Sequence, residues 1–443
     1  MKNKVLKFSI LTAALLLPGW VSGQEMVKML EQKTNFTLAR DWKSYKKWVI
    51  CNNREGEFSF ATMDTSGLNR LVMRTGQSFY VKDMEMSSDT LFFCGSMLDS
   101  ATLSQRGVLG FFTASAMPTP TVRYIMFSDM TSLNKIKYYT KYSTKHVVMI
   151  GTGTDSVDYI VDAYRNFGTG GINPGNWNLN KTRITDFEAK FDDIAVIEED
   201  VVVSARVFGL INRAYLCYIE KTPLVNVPFY QSSSFKIKEL YGSPSGEVLL
   251  QSGINDTLFA VYSRRNNISI CQFKRYYNIA SRSFSIEPTI IPYYATIRGK
   301  VLDVCMDSQK RNLNILLSRY ETAGDSTQQI IHIPTAQMMT GGFINSHSYN
   351  NGYHPMSLCR SLTNTTVTVG EYMGERMGKI WSVSLIHNNT TGNCTTMPSY
   401  LLYEMPLQLD DPVTNYHTDQ WVTKQIKIMP VTALSPAMTT ICD

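Results

Sequence analysis

From residue 47 onward the chain alternates short apolar runs with short polar breaks. The runs are rich in Val, Ile, Tyr and Phe, and Gly, Asn, Asp and Ser separate them. Runs of about five to eight residues with β-branched and aromatic side chains predict strands, not helices. No amphipathic stretch long enough for a helix follows Trp48. Residues 25–32 alone carry a short helical reading.

The runs recur. One type is an apolar run closed by a small residue or Cys: Trp48-Val49-Ile50-Cys51, Leu91-Phe92-Phe93-Cys94-Gly95, Val147-Val148-Met149-Ile150-Gly151 and Val201-Val202-Val203-Ser204. It returns as Val248-Leu249-Leu250-Gln251-Ser252, Ile315-Leu316-Leu317-Ser318 and Val367-Thr368-Val369-Gly370, a mean spacing of about 53 residues. In most copies a second apolar run follows after a polar turn, a hairpin signal. A unit of that length has room for four strands. One small sheet cannot bury both faces alone, and stacking such sheets around an axis does so while leaving short edges. The expected fold is therefore all-β: a β-propeller of seven blades, with six to eight compatible with the uneven spacing. Two β-sandwich domains are the competing arrangement. Residues 24–443 form a single domain on this reading, the ring closed by a strand near 421–429 that completes the first blade.

Composition agrees with a folded β protein. Apolar residues make up 44% of the 443 residues, charged residues 18% and aromatics 11%. That balance supports a core and excludes disorder as the main state. Before Gln24 the pattern is different. Lys2, Lys4 and Lys7 precede an apolar stretch around Leu15-Leu16-Leu17, and Val21-Ser22-Gly23 offers small residues for cleavage. This reads as a secretory signal peptide over 1–23. The apolar stretch is too short for a membrane span, and no second one of that length follows. The mature protein is expected to be exported, to the periplasm or the cell exterior. Removing the leader's three Lys lowers the formal charge from +6 to +3, which gives no support to a nucleic-acid partner.

The eight cysteines show no close metal-type spacing. Cys51, Cys94, Cys305 and Cys359 sit in strand-like runs and read as buried small residues. Cys394 and Cys442 lie in polar sequence and leave a disulfide open. His347 and His354 bracket a loop but have no third ligand beside them. No metal and no cofactor is expected.

Candidate chemistry falls into two groups. Asp83, Glu85, Asp193, Asp303 and Glu371 come from different repeats, and inner strands would bring them to one axis. Two such carboxylates facing each other are what glycoside hydrolysis needs, so Asp83, Asp193 and Asp303 are the residues of a catalytic reading. The second group is aromatic and basic: Trp177, Arg275, Tyr276, Tyr277, Tyr293 and Tyr294. Exposed aromatics stack on sugar rings or anchor a partner.

The leader, the Asn- and Tyr-rich strands and the degenerate repeats together resemble uncharacterised secreted β-propeller proteins of Bacteroidota. The resemblance covers most of the mature chain. It implies a fold and brings no activity with it, because Trp-Asp, kelch and sialidase-type boxes are all missing. With scarce His and no catalytic signature, the leading expectation is a non-catalytic exported propeller. It would bind a glycan or an envelope or extracellular protein through its loop face. The alternative is a carbohydrate-active hydrolase or lyase using inner-strand carboxylates.

Overall fold

The computed structural model describes the chain from Gln24 to Cys442, except 30–35, 65–71, 167–177, 221–233, 321–325, 336–341, 388–394, 405–415, 422–426 and breaks of four residues or fewer. The expected leader, 1–23, lies outside the described residues, as does Cys394.

The protein is all-β, and every strand pairing is antiparallel. The first sheet runs Phe36–Trp42, Lys47–Arg54, Glu57–Asp64, Val72–Thr75. The second runs Phe79–Ser87, Thr90–Asp99, Ser104–Thr113, Val122–Phe127. The third runs Met130–Lys141, Thr144–Gly153, Asp158–Asn166, Asn178–Ile184. The fourth runs Lys190–Ile197, Asp200–Val207, Arg213–Glu220, Ser234–Leu240. Then Leu249–Ser252, Thr257–Arg264 and Asn267–Asn278 lead into one long strand, Ser283–Met306. Its first part pairs with Asn267–Asn278, and its last part, from Gly299, pairs with Asn312–Tyr320. The strand thus ends one group of four and begins the next, which continues through Ser326–Pro334 and Gly342–Tyr349. The last sheet holds Tyr353–Arg360, Thr365–Gly374 and Gly378–His387.

The first strand of each group lies innermost. Each innermost strand lies against the next, and Tyr353–Arg360 of the last sheet lies against Phe36–Trp42 of the first. This is the layout of a β-propeller. The core lies between consecutive sheets. Phe58 and Phe60 of the first meet Phe79, Phe93 and Phe112 of the second, with ring centroids 5.1–5.7 Å apart for Phe58. Burying one such side chain contributes about 1.5–3 kcal/mol. Val148, Ile150, Ile194, Val201 and Val203 play the same part between the third and fourth sheets.

Three expectations are corrected. Residues 24–29 are not helical: Gln24–Met29 is a strand that pairs with Gly378–His387 and completes the last sheet, so pairing with a distant strand overrides a weak local preference. Ring closure is therefore made by the N-terminus. The segment near 421–429 does not complete the first sheet; Lys427–Met429 pairs with Val122–Tyr124 of the second. Finally, Leu249–Ser252 is an innermost strand, whereas the other copies of its run are second strands. The true counterpart is Leu258-Phe259-Ala260-Val261-Tyr262-Ser263, which closes on a small residue as the others do.

The C-terminal segment travels around the outside. Tyr416–Trp421 adds an outermost strand to the third sheet, Lys427–Met429 to the second and Thr432–Leu434 to the first. Met438–Cys442 then pairs with Gln24–Met29 in the last. These added strands cover edges that would otherwise invite pairing with other chains.

Candidate functional site

Five of the innermost strands share a local irregularity. A β-bulge interrupts the pairing between Val81 and Asp83, Leu133 and Lys135, Phe191 and Asp193, Val301 and Asp303, and Pro355 and Ser357. A bulge bends the strand and re-aims a side chain. The small residues of the repeat sit opposite it, within the same sheet. A Cβ on Gly95 would lie 1.8 Å from the Tyr80 carbonyl oxygen, and one on Gly151 2.2 Å from that of Ser132. The small position therefore makes room for the bulge.

Three bulges carry Asp at equivalent places, in Val81-Lys82-Asp83-Met84, Phe191-Asp192-Asp193-Ile194 and Val301-Leu302-Asp303-Val304. The three make the same bonds. Each Oδ1 accepts from the next backbone N–H of its own strand: Met84, Ile194 and Val304, all at 2.9 Å. Each Oδ2 accepts from a backbone N–H in the innermost strand of the following sheet: Ile136 at 3.0 Å, Leu250 at 2.8 Å and Leu358 at 2.9 Å. Each Asp therefore fastens two sheets at the axis. The remaining junctions have polar fasteners of other kinds. Asn53 holds both the N–H and the C=O of Val81 at 2.8 Å. Asp158 accepts from Phe191 N–H at 2.9 Å, and Ser263 accepts from Val301 N–H at 3.0 Å. Ser357 donates to Asp303 at 2.7 Å and accepts from Ala39 N–H at 3.4 Å, joining the last sheet to the first.

Inside this ring lies a cavity of about 370 Å³. Its charged lining is Arg40, Asp41, Lys43, Asp83, Glu85, Lys135, Lys137, Asp193 and Asp303. Arg40 is already engaged, by Asp83 and by the carbonyls of Met84 and Ala39. Lys137 and Glu85 form a looser pair at 3.4 Å, each about a quarter exposed. Lys135 is half-buried and has no hydrogen-bond or ion-pair partner among the described residues.

Burial and charge pull these groups apart. Burial works against ionised Asp83, but Arg40, Lys135, Lys137 and the Ile136 amide outweigh it and hold the carboxyl below its ordinary range. Asp193 is raised, because burial exceeds what Lys135, Lys137 and the Leu250 amide return. Burial also lifts Asp41 to about 6, against the opposing pull of Lys43. Its Oδ2 is buried with no hydrogen-bond partner. The ammonium of Lys135 is disfavoured by burial and yet held ionised by Asp193, Asp83 and Asp303, so its pKa is raised.

Asp83, Glu85, Asp193 and Asp303 thus converge on one cavity. Glu371 lies on the second strand of its sheet, its backbone paired with His354, and its side chain is outside the described residues. The three aspartates of the catalytic reading each accept two backbone amides. Tyr276 and Tyr277 are 44% and 52% exposed near the end of a third strand, and neither lines the cavity. Arg275 beside them is committed to Asp200 at 2.7 Å and also donates to Tyr218. Trp177 lies outside the described residues, as do the side chains of Tyr293 and Tyr294. Arg40, Asp41, Lys135 and Lys137 escaped notice in the sequence. A usable signal was present: Asp83, Asp193 and Asp303 are each 110 residues apart, and Leu133-Asn134-Lys135-Ile136 repeats their pattern with Lys for Asp.

Among the described residues no group of three or more His, Cys, Asp or Glu is placed to hold a metal. Among the described residues Cys51, Cys94, Cys217, Cys271 and Cys359 are free thiols, Cys359 at the cavity wall. No helix is long and apolar enough to cross a membrane among the described residues.

No family model matches the sequence, and no curated protein matches it. Among solved structures, the chain is similar to a bifunctional GH43-CE protein of Bacteroides eggerthii at 8% identity and a TM-score of 0.28. That match covers 84% of this chain and 54% of the other, so the chain spans about half of that protein's length. A GH43 protein of Bacillus licheniformis, BlXynB, is similar at 8% identity and a TM-score of 0.18, over 86% of this chain and 99% of the other. Superposition this loose carries no argument about activity.

Proposed function

We propose that the chain is an exported β-propeller of seven blades that binds a small polyhydroxylated ligand of the carbohydrate class in its axial cavity, without chemistry of its own. The observation that carries this reading is the division of labour at the axis. The aspartates a hydrolase would use each accept two backbone amides that join neighbouring sheets, while the cavity they enclose stays polar. A volume of about 370 Å³ falls at the small end of ligand sites and suits one compact molecule better than a protein surface. Four cationic and five acidic side chains line it, so donors and acceptors alternate over a short distance. Sugar hydroxyls both donate and accept, and that mixture matches them. The blade count is supported by the innermost strands following one another without a gap. Export rests on the leader, with cleavage before Gln24, the first residue of the strand that completes the ring.

The test is titration calorimetry of the mature chain against neutral and acidic mono- and disaccharides. Binding that weakens when Lys137 becomes Met supports the reading; no binding to any of them overturns it. Amino-terminal sequencing of the exported product should begin at Gln24.

One observation favours a second reading, hydrolysis. Asp41 is pushed up to about 6 while Glu85 in the same cavity faces Lys137, and two carboxyls in unlike surroundings are what acid and base roles require. Turnover of aryl glycosides that vanishes in both Asp41→Asn and Glu85→Gln would establish it in place of the first.

A further inference from the structure

The fasteners decide which groups in the cavity still have hydrogen-bonding capacity, and this gives the ligand a sign. Asp83 accepts from Arg40 and two backbone amides, Asp193 from two amides, and Asp303 from two amides and Ser357. Arg40 donates to Asp83 and to two carbonyls. What remains open to a guest is weighted toward donors. Lys135 has no partner among the described residues, Lys137 has one long contact to Glu85, and Lys43 stands exposed at the wall. A half-buried ammonium with three N–H bonds unmade is a costly group, and oxygen acceptors on a ligand would complete it.

We infer that the ligand is a sugar acid, a ring carrying one carboxylate, and that Lys135 receives that carboxylate while Lys137 and Glu85 take ring hydroxyls. This rests on the carbohydrate reading above and adds to it the charge of the ligand and the residue that reads it. The lining holds one more acid than base, so a doubly charged phosphate would meet the Glu85 and Asp41 carboxylates without enough cations to offset them. Burial would disfavour the Lys135 ammonium, but the three fastened aspartates keep it ionised. Its charge is therefore present throughout the neutral range.

The experiment compares D-glucuronate and D-galacturonate with D-glucose and D-galactose, pairs that differ only at the sixth carbon, by calorimetry on the full mature chain. Charge-assisted hydrogen bonds predict that each uronate binds about tenfold to a hundredfold more tightly than its hexose. In Lys135→Met that ratio should fall to about one. Lys135→Arg should keep part of it. Should Lys135→Met fail to fold, the salt dependence of the wild-type chain decides: uronate affinity should fall between low and high salt while hexose affinity stays level. Hexose binding with no preference for the uronate, or a preference that survives Lys135→Met, overturns the inference and leaves the carbohydrate reading standing. Binding of neither overturns both.

Discussion

At the scale of single residues, the axis is governed by room and by protons. Gly95 has no space for a methyl group, because the Tyr80 carbonyl already fills the place. Gly95→Ala should therefore destabilise the fold by about 1–3 kcal/mol in urea unfolding, whereas Gly246→Ala, with nothing within 4 Å of its Cβ position, should change little. The protons follow from burial. Asp41 and Asp192 are both raised to about 6, chiefly by burial, Asp192 in spite of its Arg206 partner at 2.6 Å. A carboxyl raised on folding contributes stability in full below its unfolded value near 4, and that contribution is lost as pH rises through about 6. Asp83 is lowered and works in the opposite direction, its contribution lost in stronger acid. On these groups stability should thus peak near pH 4 and fall toward pH 6. Thermal melts at pH 5 and 7.5 should show a higher midpoint at pH 5, and Asp41→Asn should reduce the difference.

At the scale of elements, the fasteners show what repetition means here. Asp193→Asn would turn an amide N–H toward one of two backbone N–H donors at a buried position. A cost of about 1–3 kcal/mol is expected, read as a lower urea midpoint with an unchanged slope. Much of this was legible beforehand. Apolar runs at regular intervals gave the strands, and the small residue closing each run marked the second strand in all but one copy. The acids chosen as candidates for catalysis were equivalent positions of the repeat, which is why they converge. Their role was not legible, because Oδ2 of Asp83 bonds Ile136, 53 residues further on, and sequence does not say which amide a bulge leaves unpaired. Lys135 and Lys137 were missed for a related reason. In isolation they read as ordinary strand lysines, and only the ring turns them inward.

At the scale of the whole molecule, closure depends on both ends of the chain. Gln24–Met29 lies between Gly378–His387 and Met438–Cys442 in the last sheet. Before it, the tail has visited the third, second and first sheets in that order. A chain ending at Asn415 should keep its inner strands and lose the outer covering of four sheets, including the contribution of buried Met429 to the first inter-sheet core. Size-exclusion chromatography should show it aggregating where the full-length chain runs as a discrete species.

The backward path of the tail also sets an order of events in synthesis. The strands that seal the early sheets are the last to leave the ribosome. A nascent chain halfway through translation has no means of completing even its first sheet in final form. A message cut short would yield a product with several raw edges, marked out for proteases by the absence of fewer than thirty residues.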